Sequence, residues 1–378
     1  MVSLRAGCSM FALLAVLGCG SSHGAAEQGA SGGSSSGGSS GFGGGLNLDV
    51  GTRFGVDLPG TLVVACSGEP EGSARSWLTF SVPVTGLAAS ADYVYAAAGG
   101  DLVRVSRSGG CAEPILSTTG EIRALSIQGA QLFFLAVSAS GMRIEAVPLT
   151  TLDRASRIVS VESASSAGFG ELIGDGDALF FNQGLQVMRT TLSGKVELVA
   201  ESTGLAPLRL ALGDDDVYWV GAGRVWVKDI DPPVYTQIFA APKQGGAARA
   251  VSERACMHVA VDGAQLFCVS GPSLPLDQAA NSSLAELSEV FADGSSGPTI
   301  ASGVTALALS PSFVFVGGTL EGVPSLKALA RSSTPEFELV ATTPASAWPL
   351  TTHGDALFFA DYVTSAAQVS LRSLEPAR

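Results

Sequence analysis

This chain of 378 residues is poor in charge, in aromatic residues and in histidine. Charged residues make up 15% of it and aromatic residues 7%, and the whole sequence has three histidines. Low charge is expected where most strands are buried on both faces, because charged side chains are seldom fully buried without a partner. The charges that are present do not balance: 34 Asp and Glu against 21 Lys and Arg give a net charge of −13. Such an acidic surface argues against nucleic-acid binding.

The chain also lacks several signatures of common enzymes and membrane proteins. Its N-terminal apolar run covers only residues 7–17, which is too short to span a bilayer. No CxxC pair, P-loop or HExxH motif is present, and these absences argue against a zinc site and a nucleotide site. No stretch shows a sustained helical period, so little helix is expected. We therefore expect no cofactor and no metal, and we favour a function that is not enzymatic.

The N-terminus reads as an export signal followed by a flexible spacer. Arg5 precedes the short apolar run, which ends in Val16-Leu17-Gly18-Cys19. These four residues resemble the box of bacterial lipoproteins, and the resemblance implies that residues 1–18 are a cleaved signal peptide and that Cys19 carries lipid. An ordinary cleaved signal is the alternative. Gly20 follows, and the absence of Asp there implies the outer membrane as the destination in the cell envelope. Residues 19–45 are dominated by Ser and Gly, which is typical of a flexible tether.

Four cysteines are left after the signal and the lipidation site, and an exported protein with an even number of them favours disulfides. Cys256 and Cys268 flank a turn at Asp262-Gly263 almost symmetrically. We expect these two to pair across one hairpin, which leaves Cys66 and Cys111 as the second pair by elimination.

A repeat of 38 to 49 residues dominates the rest of the chain. In each of seven repeats a polar or Gly-containing turn is followed by an aliphatic and then an aromatic residue, and another aliphatic residue lies seven positions before that pair. The earlier aliphatic residues, called inner anchors here, are Leu87, Leu125, Leu172, Leu210, Val259, Leu307 and Leu350. The pairs are Val94-Tyr95, Leu132-Phe133, Leu179-Phe180, Val217-Tyr218, Leu266-Phe267, Val314-Phe315 and Leu357-Phe358. Such a period is typical of a radial repeat.

Each repeat divides into four short strands with tight turns. The second strand is apolar at consecutive positions, as in Leu179-Phe180-Phe181, and continuous apolarity predicts burial on both faces. The sequence therefore predicts an all-β domain over residues 46–378: a seven-bladed β-propeller of four-stranded antiparallel blades, with its repeats over about 85–378. The last repeat lacks a fourth strand, and a strand near 77–82 precedes the first repeat. We expect that N-terminal strand to complete the last blade and close the ring.

Two short segments resemble the bacterial seven-bladed propellers of the YWTD and streptogramin-lyase-like type. They are Asp214-Asp215-Asp216-Val217-Tyr218-Trp219 and Ala260-Val261-Asp262-Gly263. The resemblance implies the propeller fold over roughly 290 residues, and it implies, as the alternative function, a metal-assisted lyase or hydrolase at the mouth of the central channel. A lyase of that type uses convergent histidines. Here His258 begins the first strand of the fifth repeat, whereas His353 follows the first strand of the seventh, so the two are expected on opposite faces.

Acidic residues cluster in two turns. Asp175-Gly176-Asp177 and Asp214-Asp215-Asp216 have the residue types that ligate calcium. Both fall in the equivalent turn of their repeats, and a turn role is sufficient to explain them because Asp and Gly are favoured there.

Two long insertions mark one face of the predicted ring. The fourth repeat inserts residues 221–236 and the fifth inserts residues 270–283 between the second and third strands. Long loops in compact folds are often functional, although neutral insertion is also well tolerated. The candidate ligand-facing residues are Trp226, Asp229, Asp231, Tyr235, His258 and Asp277. The sequence thus favours a monomeric, envelope-anchored propeller that binds a protein, peptide or glycan through this face, or acts as a scaffold in an envelope assembly.

Overall fold

The structure is a computed structural model, and it describes about two thirds of the chain. The described residues are 65–66, 70–71, 74–80, 82–108, 112–139, 141–152, 155–162, 170–202, 205–223, 234–252, 254–270, 285–320, 322–331, 337–342, 347–363 and 368–374. The chain divides into two units, Met1–Gly44 and Gly45–Arg378, and every described residue belongs to the second. The signal peptide, Cys19 and the tether lie outside the described residues. The described residues contain no helix that is long and apolar enough to cross a membrane.

Six antiparallel sheets of four strands each account for most of the fold, and each sheet is one contiguous stretch of chain. The first three consist of β4 Val84–Ala89, β5 Tyr93–Ala98, β6 Asp101–Ser106 and β7 Glu113–Ser117; β8 Glu121–Gln128, β9 Gln131–Ser138, β10 Gly141–Pro148 and β11 Ser156–Glu162; and β12 Leu172–Gly174, β13 Ala178–Gln183, β14 Gln186–Thr191 and β15 Val196–Glu201. The next three consist of β16 Leu205–Leu212, β17 Asp216–Gly223, β18 Val234–Pro242 and β19 Arg249–Ala250; β20 Cys256–Asp262, β21 Gln265–Ser270, β22 Glu286–Val290 and β23 Ser296–Ser302; and β24 Val304–Leu309, β25 Phe313–Leu320, β26 Val323–Ala330 and β27 Phe337–Thr342.

The remaining sheet differs from the others because both ends of the chain contribute to it, and it has six strands. Its strands are β28 Ala347–His353, β29 Ala356–Val363, β30 Gln368–Leu374, β3 Ala74–Phe80, β1 Ala65–Cys66 and β2 Pro70–Glu71. The strand predicted near 77–82 corresponds to β3, which begins three residues earlier and pairs antiparallel with β30. The short strands β1 and β2 both pair with β3, and the sequence did not predict them.

The first strand of each sheet contacts the first strand of the next, in the order β4, β8, β12, β16, β20, β24 and β28, and β28 contacts β4. The sheets are therefore arranged around a central axis with their first strands innermost. This is the β-propeller predicted from the repeat, with four-stranded antiparallel blades.

The hydrophobic core lies between neighbouring sheets. Phe133 of β9 packs with Leu179 of β13, and Val94 of β5 packs with Phe358 of β29. All interior residues of β9 are buried, as predicted from its continuous apolar sequence. Fully burying one such aromatic side chain contributes about 1.5–3 kcal/mol.

Candidate functional site

A β-bulge recurs near the start of the innermost strands. In six of the seven sheets the pairing between first and second strand shifts register there; the shifts follow Val84, Ile122, Leu208, Cys256, Val304 and Ala347. A bulge adds an unpaired residue and redirects the side chains beside it, and bulges are frequent next to active sites. Its repetition shows that this end of the innermost strands, called the bulge end here, has a common built-in distortion.

Three ionisable side chains from consecutive sheets meet at the bulge end. Glu171 directly precedes β12, Arg209 lies within β16 and His258 lies near the start of β20. Each of them occupies the position just before an inner anchor, namely Leu172, Leu210 and Val259. At this position the other four repeats carry no charge; their residues are Gly86, Ala124, Ala306 and Pro349.

Arg209 and Glu171 form an ion pair between neighbouring sheets. The Nη1 atom of Arg209 lies 3.5 Å from Oε1 of Glu171, and the two side chains are 18% and 23% exposed. Burial is the main influence on Glu171 and raises the pKa of its carboxyl group, while the positive charge and hydrogen bonds of Arg209 act in the opposite direction. The arginine therefore compensates only part of the cost of burying this carboxylate.

His258 lies beside this pair on the next sheet. Its side chain is 7% exposed, so neighbouring groups cover most of it. Burial lowers the pKa of His258 well below its usual value, and the positive charge of Arg209 lowers it further. The imidazole is therefore neutral at physiological pH.

The backbone of Arg209 has an unusual conformation. Its φ is 54°, and the only other non-glycine residue with positive φ among the described residues is Leu152. The unpaired segment of the bulge in β16 contains Arg209, because pairing with β17 stops at Leu208 and resumes at Ala211. A non-glycine residue in the left-handed region costs of order 1 kcal/mol, and such strain is concentrated at functional sites.

Asn182 holds the backbone beneath the ion pair. It lies on β13 with no exposed surface, and its Oδ1 accepts hydrogen bonds from the backbone N–H groups of Gly170 and Glu171, each at 3.1 Å. Its Nδ2 donates to the carbonyl oxygen of Pro207 at 3.0 Å. One buried amide thus ties the segment carrying Glu171 to the strand carrying Arg209. Asn182 was not predicted from the sequence, where its signal is a polar residue directly after the apolar Leu179-Phe180-Phe181 run.

The long connections that the sequence singled out start at the same end of the sheets. Leu205 at the start of β16 pairs with Gly223, which precedes residues 224–233, and Cys256 at the start of β20 pairs with Ser270, which precedes residues 271–284. Trp226, Asp229, Asp231 and Asp277 lie outside the described residues. The backbone of Tyr235 belongs to β18 and pairs with Ala222.

The predicted Cys256–Cys268 disulfide is confirmed, with 5.7 Å between the two Cα atoms. The two residues are not directly opposite each other: Cys256 pairs with Ser270 and Cys268 with Val259, because the bulge after Cys256 shifts the register. The disulfide therefore fixes the hairpin beside His258. Of the second predicted pair, Cys66 pairs with Leu78 through its backbone in β1, and Cys111 lies outside the described residues.

The acidic turns lie at the opposite end of the sheets, where they form ion pairs. Asp175 pairs with Lys243 of the next sheet at 3.1 Å, and Asp216 pairs with Arg249 within its own sheet. Asp262 pairs with Arg331, again between neighbouring sheets. In the ranges that the structure describes, no three His, Cys, Asp or Glu side chains come together to hold a metal. Asp175 and Asp262 therefore tie neighbouring sheets together, and Asp216 braces its own sheet.

The two histidines of the described chain lie at opposite ends of their strands. His258 is near the start of β20, whereas His353 is the last residue of β28. Since the first strands run side by side around the axis in the same repeat phase, the two imidazoles do not converge on one site.

Comparison with known proteins shows the fold and no family. Neither a protein-family model nor a curated protein sequence matches this chain. Among solved structures, a catalytically inactive virginiamycin B lyase from Staphylococcus aureus with quinupristin has a TM-score of 0.54 and 14% identity, over 78% of this chain and 96% of the lyase. A chain of a mitotic checkpoint complex has a TM-score of 0.58 and 11% identity, over 82% and 98%. The WD40 β-propeller domain of Doa1 has a TM-score of 0.52 and 12% identity, over 76% and 92%. At these identities the likeness establishes that the chain is a β-propeller.

Proposed function

We propose that this protein is an envelope-anchored β-propeller that binds a protein, peptide or glycan ligand at the bulge end of its innermost strands. One observation carries the proposal: Glu171, Arg209 and His258, from three consecutive sheets, occupy equivalent positions at that end. Buried ionisable groups are costly, and clusters of groups with perturbed pKa values are frequent at functional sites.

The two long connections between second and third strands also favour a ligand site at the bulge end. Residues 224–233 and 271–284 connect strands whose ends pair with the starts of β16 and β20, and these are the strands that carry Arg209 and His258. Binding residues are often found on loops that a rigid scaffold positions. Tyr235 and the four ligand-facing candidates within these connections are part of the proposal.

A pull-down from envelope extract tests the proposed face. Two variants are compared with the wild type: one with residues 224–233 and 271–284 each shortened to a two-residue glycine link, and a control in which residues 332–336 are shortened. The control segment connects Ala330, at the end of β26, to Phe337, at the start of β27, and these strand ends lie opposite to the bulge end. We expect partners to be lost only in the first variant, and identical partner lists for all three proteins would overturn the proposed face.

The blade number and the closure of the ring are part of the same account. We propose that the six-stranded sheet is the seventh blade, with β3 as its outer strand. Support comes from the pairing of β3 with β30 and from the contact of β28 with β4. Deleting residues 74–80 should then lower the free energy of unfolding by several kcal/mol, whereas deleting residues 21–44 should leave it unchanged. An unchanged unfolding midpoint in the first deletion would contradict ring closure.

The lipid anchor and the cell-envelope location are proposed from Val16-Leu17-Gly18-Cys19 and the Ser- and Gly-rich residues after it. Replacing Cys19 with Ser should release the protein from membranes into the soluble fraction. Continued membrane association of that variant would refute the anchor.

A second function, acid–base catalysis at the same site, is favoured by a separate observation. Burial raises the pKa of Glu171 and lowers that of His258, so the environment suppresses the charge on both groups. Pairs of titratable groups in unusual environments are typical of proton-transfer sites. In this candidate function the carboxyl group of Glu171 and the imidazole of His258 transfer the proton. Turnover by the wild type that is lost in Glu171→Gln would favour the enzyme over the binding module.

A further inference from the structure

The geometry of the Arg209–Glu171 ion pair allows another carboxylate to replace Glu171. The contact between Nη1 of Arg209 and Oε1 of Glu171, at 3.5 Å, is at the outer limit of a hydrogen bond and longer than the bonds of a strong bidentate arginine–carboxylate pair. Neither side chain is sealed from solvent, since the two are 18% and 23% exposed. A carboxylate with better geometry can therefore take the place of Glu171 at the guanidinium group.

Arg209 gives this site a permanent positive charge. Burial raises the pKa of Glu171 and lowers that of His258, so it acts against the charged form of both groups. An arginine in a protein cannot be deprotonated, so Arg209 keeps its charge under all relevant conditions. The site is thus suited to an anion.

The guanidinium group is carried on a fixed piece of backbone. Arg209 lies in the bulge with φ of 54°, and Asn182 binds the carbonyl oxygen of Pro207, two residues earlier. Such preorganisation reduces the entropy that a ligand loses on binding. At the equivalent position the first and second repeats carry the small, uncharged residues Gly86 and Ala124.

We propose that Arg209 anchors a carboxylate-binding site in which Glu171 is an internal competitor that the carboxylate of a ligand displaces. This inference rests on the proposed function, because it names the chemistry that the bulge end recognises. A planar guanidinium group matches a carboxylate in bidentate fashion. The carboxylate comes either from a free small acid or from the C-terminus of a peptide chain.

Displacement makes binding dependent on pH. A ligand carboxylate at Arg209 places a second negative charge beside Glu171, which then takes up a proton. Affinity should therefore rise as the pH falls, by at most about tenfold per pH unit. Among the elements packed on β12, β16 contributes Arg209, β13 contributes the neutral Asn182, and β8 carries Glu121 and Arg123, which pair with each other at 2.9 Å. The strand β20 packs on β16 and carries His258, whose imidazole lies beside Arg209.

Calorimetry on the full-length protein in detergent tests the proposal between pH 5.5 and 8. The probes are sodium acetate, trialanine with a free C-terminus and trialanine amide. Preference for free trialanine over acetate identifies a chain terminus as the source, and equal affinity per carboxylate identifies a small acid. Absence of binding of both carboxylates, or equal binding of the amide, overturns the proposal.

Four variants separate the roles of the residues. Arg209→Gln should weaken carboxylate binding by at least about tenfold, and Arg209→Lys should retain part of it. Glu171→Gln should tighten binding and remove its pH dependence, a gain that a damaged fold does not produce. Arg123→Gln, a charged residue at the same end on β8, is the matched control and should bind as the wild type does. Unchanged pH dependence in Glu171→Gln would overturn the competitor role, whichever partners the pull-down identifies.

Discussion

Replacing Asn182 with Ala tests whether the buried amide holds the candidate site together. The side chain makes three hydrogen bonds, two as acceptor and one as donor, and it has no exposed surface. At about 1 kcal/mol per bond, we expect the free energy of unfolding to fall by about 3 kcal/mol. This loss of about 3 kcal/mol is a lower bound, because the substitution leaves two N–H groups and one carbonyl oxygen buried without this partner.

Urea unfolding followed by tryptophan fluorescence measures this change. The matched control is Gln183→Ala, at the next residue of β13, which is only partly buried and should change the free energy of unfolding by less than about 0.5 kcal/mol. Asn182→Ala should also weaken carboxylate binding, because the backbone carrying Glu171 and Arg209 is no longer tied. If Asn182→Ala lowers the free energy of unfolding no more than Gln183→Ala does, the hydrogen bonds of Asn182 do not hold the backbone that carries Glu171 and Arg209.

Three further predictions concern stability. Cys256→Ser removes a disulfide that closes a short loop and should cost about 3 kcal/mol, measured by urea unfolding; an equal loss in Cys268→Ser is the internal check. His258 stays neutral in the folded protein but takes up a proton in the unfolded chain below its usual pKa of about 6.5, so stability should fall as the pH drops below that value, by at most about 1.4 kcal/mol per pH unit. The variant His258→Gln should lose this acid sensitivity and His353→Gln should keep it, and parallel pH profiles would refute the assignment. Gly303 has φ of 78°, and a Cβ there would clash with the carbonyl oxygen of Thr319, so Gly303→Ala should lower the free energy of unfolding by several kcal/mol. The control Gly129→Ala, with φ of 57° and open space around it, should cost only about 1 kcal/mol. Equal costs in thermal unfolding would contradict the steric explanation.

The propeller fold was predictable because its signal is repeated. The aliphatic–aromatic pair that begins each second strand recurs at one phase, and burial between sheets requires continuous apolarity there, as in Leu132-Phe133. The strand predicted near 77–82 lies at Ala74–Phe80 in the structure, because its pairing with β30, rather than any local pattern, sets its register.

The candidate site was only partly predictable. His258 was identified as a residue at the correct end of β20, and the disulfide followed from symmetry about a turn. Glu171 and Arg209 were missed because they are 38 residues apart in sequence and meet only through the packing of neighbouring sheets. The position before each inner anchor was the available signal: three consecutive repeats carry Glu, Arg and His there, where the others carry uncharged residues. The bulges could not be read from the sequence, because one extra residue leaves the apolar pattern of these short strands almost unchanged.

A crystal structure of the protein with trialanine tests the central claim most directly. We expect the terminal carboxylate of the peptide at the guanidinium group of Arg209, within hydrogen-bond distance, with Glu171 turned away from its present contact. A peptide bound elsewhere on the ring, or an Arg209–Glu171 pair that is unchanged in its presence, would contradict it.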